Sequence, residues 1–266
     1  MVSACDKADL TGMFVTTESV DDRFEQSVAW NEAHSAIELV ASTDDYSLYA
    51  MGDSHIGNPR NLDTLLQRAK ENDIKAVVMV GDITTGKADQ YEVLDKHIPS
   101  QDSIRTFFVA GNHDVYFGGW KEFYRRFGSS TYYFTVKTPS ANDLYICLDT
   151  GSGTLGSKQL AWFKNVLETN RKEYRRCVVF THNNLYRVRH TGSTNPVAEE
   201  IATLSELFLI HDVDMVITGH DHEGNVRVFG KTTHITMDAL LVEYKGAGYF
   251  YFNVKNGEIS FRFEKI

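Results

Sequence analysis

The stretch 46–55 reads YSLYAMGDSH: six aromatic, aliphatic or small residues, Tyr46 to Met51, followed by Gly52, Asp53, Ser54 and His55. A continuous apolar run of this length suits a strand buried on both faces, and a glycine straight after it lets the backbone turn sharply. The same arrangement recurs downstream. Ala76–Val80 is followed by Gly81-Asp82, and Thr106–Ala110 by Gly111-Asn112-His113-Asp114. Val178–Thr181 is followed by His182-Asn183, and Met215–Thr218 by Gly219-His220-Asp221-His222. A further apolar run, Leu144–Leu148, lies among them. Between the runs, Leu62–Glu71, Trp120–Phe127, Lys158–Glu168 and Val197–Ile210 have helix-like spacing. Strand–helix alternation of this kind predicts an α/β domain. In an open α/β sheet ligands bind outside the carboxyl ends of the strands, so the five polar clusters are expected to converge on one crevice.

The chemistry of the clusters points the same way. Asp, His and Asn ligate divalent and transition metals, and none of the five loops supplies a cysteine. In Asp53-Ser54-His55 and His220-Asp221-His222 the one-residue gap keeps both side chains on the same side of an extended segment. Five of the ten histidines fall at these strand ends. Any one cluster is weak evidence, since an isolated Asp-x-His or Gly-Asp is usually a surface turn; five in order, each closing an apolar run, predict one shared site.

Bulk properties bound the remaining possibilities. The chain has 266 residues, 42% of them hydrophobic, and only four prolines, which suits one substantial folded domain rather than disorder. No apolar run approaches the roughly 20 residues of a membrane-spanning helix. The formal net charge of −9 disfavours a nucleic-acid-binding surface but not a phosphate substrate, because bound cations reverse the field locally. Cys147 and Cys177 fall in apolar runs and are read as small hydrophobes rather than a disulfide. Residues 1–45 are read as an N-terminal extension and residues 46–266 as the domain. Within the extension, Ser19-Val20-Asp21-Asp22 has the form of a helix start feeding an amphipathic stretch through about Ala33. The last stretch, Asn225–Phe263, is read as successive short strands with glycine turns at Gly230, Gly246, Gly248 and Gly257.

The ordered clusters resemble the five signature blocks of the calcineurin-like metallophosphoesterase superfamily, over roughly Tyr46 to Glu223. Leu148-Asp149-Thr150 followed by Gln159-Leu160-Ala161-Trp162 is similar to a further segment common in these enzymes. The resemblance implies a four-layer αββα sandwich of α+β type, with two mixed β-sheets face to face and helices outside. It implies two divalent or transition metal ions (Mn, Fe, Zn or a mixture), one held by Asp53, His55 and His222 and the other by Asn112, His182 and His220, with Asp82 bridging. It also implies that His113 protonates the leaving oxygen, that Asp114 orients His113, and that a hydroxide held between the metals attacks phosphorus. The implied substrate is a small-molecule phosphate ester.

Departures from the family's better-known branches narrow the resemblance. Purple acid phosphatases carry a tyrosine ligand three residues past the bridging aspartate, where this chain has Thr85. Serine/threonine protein phosphatases continue with Val-Asp-Arg-Gly, where this chain reads Ile83-Thr84-Thr85-Gly86. The 5′-nucleotidase branch appends a large substrate domain, for which the stretch after Glu223 leaves no room. The chain is most similar to the compact bacterial phosphodiesterases. A phosphomonoesterase using the same site is the nearest alternative, and a catalytically silent protein-binding scaffold the alternative from another class. Arg187 and Arg189 are read as a solvated loop, and His182-Asn183 stands where many relatives have His-His. Val2-Ser3-Ala4-Cys5 resembles the end of a bacterial lipobox, without the apolar segment that normally precedes one. That gives the expectation of a lipid-anchored or periplasmic bacterial protein with Cys5 lipidated, against an incidental cysteine in a cytoplasmic one. Oligomeric state is not read from the sequence.

Overall fold

The computed structural model describes residues 17–186 and 194–266. Cys5, Arg187, Arg189 and His190 lie outside the described residues, so the lipid-anchor expectation has no structural counterpart here. In chain order the first half runs α1 (Val20–Ala33), β1 (Ile37–Val40), β2 (Tyr46–Met51), α2 (Arg60–Glu71), β3 (Ala76–Val80), α3 (Ala88–His97), β4 (Arg105–Val109), the single turn α4 (Asn112–Val115) and α5 (Gly119–Phe127). The second half runs β5 (Tyr132–Lys137), β6 (Asn142–Leu148), α6 (Gly156–Asn170), β7 (Cys177–Thr181), α7 (Ala198–Ile210), β8 (Met215–Thr218), β9 (Asn225–Phe229), β10 (Thr232–Thr236), β11 (Gly248–Lys255) and β12 (Glu258–Lys265).

Two mixed sheets result, one in the order β1-β5-β6-β7-β8-β10-β9 and one in the order β12-β11-β2-β3-β4. Alternation along the strands builds the layers. Leu48, Ala50, Val78, Val80, Phe107 and Val109 face the inter-sheet core, where they meet Phe134, Tyr145, Phe180 and Ile217 of the larger sheet. The intervening Tyr49, Met51, Val77, Met79 and Phe108 turn outward onto Leu62, Leu65, Tyr91, Leu94, Trp120 and Phe123. On the far side Leu144, Ile146, Val179 and Val216 meet Phe163, Leu167, Leu204 and Phe208. This is the expected helix–sheet–sheet–helix sandwich.

The segment before residue 46 contributes two elements to these layers. Strand β1 pairs in parallel with β5, and α1 packs on α6. Helix α1 opens where the sequence places its start: the Ser19 hydroxyl accepts from the Asp22 amide at 3.1 Å, and the Asp22 carboxylate accepts from the Ser19 amide at 2.9 Å. The edge of β4 is closed by side chains: the Tyr132 hydroxyl accepts from Phe108 N and donates to Phe108 O, and Ser130 Oγ accepts from Ala110 N. Gly248 differs from expectation. It opens β11 instead of forming a turn, and a Cβ there would lie 2.4 Å from the carbonyl oxygen of Glu264 on β12. Cys147 and Cys177 are free and buried, with their thiol pKa values pushed up to about 12 by burial. No helix among the described residues is long and apolar enough to cross a membrane.

Candidate metal centre

β2, β3 and β4 run parallel, as do β7 and β8, so within each sheet the clusters predicted from sequence leave on one edge. A bridge between Gly52 and Ala239 ties the end of β2 to the segment after β10. Three groups of ligand atoms gather there, each within 4.8 Å: Asp53, His55 and His222; His55, Asp82 and His113; Asp82, His182 and His220. His222 Nε2 lies 3.2 Å from Asp53 Oδ1 and His182 Nε2 lies 3.3 Å from Asp82 Oδ2. The same Asp82 oxygen is 3.8 Å from His55 Nε2 and 3.9 Å from His113 Nε2, so Asp82 stands between the two outer groups.

Asp53, His55, Asp82, His220 and His222 all have positive φ, between 39° and 72°. Left-handed backbone costs a residue with a Cβ roughly 1–2 kcal/mol, and such outliers persist where surrounding structure over-determines them, commonly at functional sites. Here the surroundings are visible: the Asp53 amide donates to the Gly81 carbonyl, and the His55 amide to the Asp82 carbonyl. The His220 amide donates to Asp53 Oδ2 at 2.8 Å, and the His113 amide to Asp82 Oδ1 at 2.8 Å.

Proton bookkeeping shows that these residues fit a cation. His182 Nδ1 is 2.9 Å from the Val80 carbonyl oxygen, which can only accept, so that nitrogen carries the hydrogen. In neutral His182 the Nε2 lone pair then faces the Asp82 carboxylate and, at 3.2 Å, Nδ1 of His220. A backbone carbonyl fixing the tautomer of an imidazole in this way is the usual support for a metal ligand. Asn112 donates from Nδ2 to the Tyr116 hydroxyl at 3.2 Å, while its Oδ1, the atom able to ligate, is buried with no hydrogen-bond partner among the described residues.

Burial works against charge on His182, but Asp82 beside it outweighs that and raises its pKa to about 9. For His55 burial prevails over Asp82 and its pKa falls to about 4, leaving the ring neutral. Asp53 and Asp82 are pushed up by burial but held below the usual carboxylate range, chiefly by His222 and by His182 respectively. Metal-free protein at pH 7 therefore holds a proton on His182 that a cation must displace. Titrating the stripped protein with Mn²⁺ at pH 7, in buffers of different ionisation enthalpy, should show protons released on binding. Affinity should rise with pH up to about 9; affinity independent of pH from 6 to 9 would contradict this.

The glycines before the clusters have a tertiary reason. A Cβ on Gly81, where φ is +78°, would lie 2.4 Å from His182 Nδ1, and one on Gly219 would lie 2.5 Å from Asp53 Oδ2. Each glycine clears space for a side chain arriving from another strand. Gly81→Ala should cost about 1–2 kcal/mol for the backbone alone, more for the displaced ring, and should weaken metal binding. Thermal unfolding with and without Mn²⁺ checks this, and an unchanged Tm in both conditions would refute it.

His113 is half-buried on the exposed side of the group, its ring centroid 4.6 Å from that of His55. The Asp114 carboxylate, which the resemblance implies orients His113, accepts from the amides of Gly111, Ile83 and Thr84 and from the Thr84 hydroxyl. It therefore ties the loop after β3 to the loop after β4, and burial, with Asp82 nearby, raises its pKa to about 7. Thr85, at the position of the purple acid phosphatase tyrosine, bonds through its amide and hydroxyl to Gln90 Oε1. His34, His97, His211 and His234, none of which follows one of the five apolar runs, lie outside the three ligand groups. Sequence reasoning did not find the support given by Tyr116 to Asn112, nor the Arg23–Asp149 pair behind the site. A hollow of about 930 Å³ lies elsewhere, between the end of α1 and the β4 edge, and none of the seven candidate ligands lines it.

Comparison with known proteins agrees with the geometry. The model of the calcineurin-like phosphoesterase family matches residues 46–224. No curated protein matches the chain. Among solved structures, a dimetal phosphatase from Danio rerio is similar with a TM-score of 0.65 at 15% identity, covering 83% of this chain and 96% of that one. GAP50, the anchor in the inner membrane complex of Plasmodium, gives 0.65 at 15% identity, covering 82% and 84%. The purple acid phosphatase PPD1 of yellow lupin gives 0.64 at 13% identity, covering 84% of this chain and 52% of that one. At these identities the likenesses establish the fold. The family model spans well over half of the residues, and the chain belongs to the calcineurin-like phosphoesterase family.

Proposed function

We propose that this chain is a phosphodiesterase working through a two-metal site. The observation that carries the reading is Asp82 Oδ2 standing between His55 and His182 with His113 beside it on the exposed side. Calcineurin-like phosphoesterases use a binuclear metal site and act on phosphate esters. In the proposed assignment Asp53, His55 and His222 would hold one ion, Asn112, His182 and His220 would hold the other, and Asp82 would reach both. When bound, the two cations supply Lewis-acid neutralisation of the phosphate oxygens and an acidified water. His113, from the exposed side, hands a proton to the departing oxygen. Asp114 keeps the loops carrying Asp82 and His113 in register through its four accepted hydrogen bonds. The diester preference rests on the resemblance to compact phosphodiesterases that is left once Thr85 and Ile83-Thr84-Thr85-Gly86 set the chain apart from the tyrosine-ligated and protein-phosphatase patterns. Hydrolysis of bis(p-nitrophenyl) phosphate beside p-nitrophenyl phosphate, on stripped protein supplied with Mn²⁺, tests it. Faster cleavage of the diester is expected; preference for the monoester would make the chain a phosphatase instead.

A further inference from the structure

Helix α1 precedes the residues matched by the family model, yet it reaches the back of the site. Its Arg23 is fully buried. Nε donates to Asp149 Oδ2 at 2.8 Å and Nη2 to Asp149 Oδ1 at 3.1 Å, a fork that a guanidinium makes and an ammonium does not. Nη2 also donates to Ser152 Oγ at 3.0 Å, and the guanidinium carbon lies 5.7 Å from the centre of the Trp120 ring. Asp149 is itself buried at the end of β6, and its Oδ1 accepts the Gly151 amide at 2.8 Å, which shapes the loop 149–152.

That loop braces the metal centre on two sides. Thr150 Oγ1 accepts the Asn183 amide at 2.9 Å and lies 2.9 Å from Thr181 Oγ1, so it grips the residues on either side of His182. Gly151 packs against the Gly111 carbonyl, from which a Cβ would be only 2.9 Å away, and Gly111 precedes Asn112. The braced residues, His182 and Asn112, belong to the same proposed ion site. We infer that Arg23 is a positioning residue: through Asp149 and the loop 149–152, helix α1 sets His182 and Asn112 and so tunes one of the two metal sites. This rests on the two-metal reading above. An ordinary buried ion pair that merely fastens α1 would lower stability without favouring one ion over the other.

The test is calorimetric titration of metal-stripped protein with Mn²⁺, comparing wild type with Arg23→Gln, Arg23→Lys and Asp21→Ala. Asp21 fastens α1 to α6 through Ser157 Oγ at 3.1 Å and the Lys158 amide at 3.2 Å, away from the loop, and controls for simple loosening of the helix. Wild type should bind two ions. Arg23→Gln should weaken one step by about 10–100-fold, the range seen when a hydrogen bond that supports a metal ligand is removed. The weakened step should be the one that His182→Ala abolishes, with the other changed less than about twofold. Asp21→Ala should leave both steps intact. Arg23→Lys, which keeps the charge but not the fork, should show the same asymmetry in smaller degree, and it serves if Arg23→Gln does not fold. Two ions in wild type with both steps unchanged, or both weakened alike, in folded Arg23 variants would overturn the positioning role alone. A wild-type chain that binds fewer than two ions would overturn the two-metal reading and the positioning role with it.

Discussion

Asp82→Ala should bind at most one metal ion and lose phosphoesterase turnover by about three orders of magnitude or more. Among the described residues, Asp82 is the one carboxylate that shares a ligand group with both His55 and His182, 3.8 Å from the first and 3.3 Å from the second. Among the described residues it has no substitute, because Asp53 is engaged by His222 and the His220 amide, and Asp114 by four donors of the neighbouring loops. A two-metal site lowers a phosphoryl-transfer barrier by several kcal/mol, and each 1.36 kcal/mol lost is about tenfold in rate, so loss of the arrangement corresponds to ~10³ or more. Ligand linkage gives a second readout: Mn²⁺ should raise the Tm of wild type by binding only the folded state, and this rise should shrink or vanish in the variant. Full metal occupancy in Asp82→Ala would remove the bridging assignment.

His113→Ala should separate metal binding from turnover. Its ring lies on the exposed side of the group, with Nε2 3.9 Å from Asp82 Oδ2, and its amide rather than its ring anchors Asp82 Oδ1. Truncating the ring leaves that backbone bond in place, so both ions should still bind. A positioned general acid contributes about 10²–10⁴-fold, and its value depends on the leaving group. Alkoxides need the proton; nitrophenolate, a stable anion, needs it little. Turnover of alkyl phosphodiesters should fall by about 10²–10⁴-fold, that of bis(p-nitrophenyl) phosphate much less. Equal losses on both ester classes would exclude the proton-donor role.

Much of this was legible in the sequence, for a physical reason. Tyr46–Met51, Ala76–Val80 and Met215–Thr218 are buried on both faces, so their continuous apolar runs mark the strands and the polar residues after them mark the strand ends. Elements that bury little left little trace. Helix α3 buries only Tyr91 and Leu94, and β1 is four residues at a sheet edge with alternate positions exposed, so neither stood out. The glycines of the clusters were visible, but their purpose was not: what a Cβ on Gly81 meets is a histidine from a strand about a hundred positions on. Five candidate ligands with positive φ are Asp or His, which adopt that backbone more often than other non-glycine residues but far less often than ordinary backbone, so residue type alone does not mark it. Arg23 and Asp149 lie 126 positions apart, and nothing in the helical pattern of α1 singles out the arginine that turns inward.

The central claim, that five strand ends build one two-metal phosphoesterase site, is tested most directly by stoichiometric metal reconstitution. Stripped wild-type protein is titrated with Mn²⁺ while bound metal and hydrolysis of bis(p-nitrophenyl) phosphate are followed together. Binding should saturate at two ions per chain, with activity absent in the stripped protein and appearing as the second ion binds. Hydrolysis by the stripped protein, or saturation at two ions with no activity on this ester or on p-nitrophenyl phosphate, would contradict it.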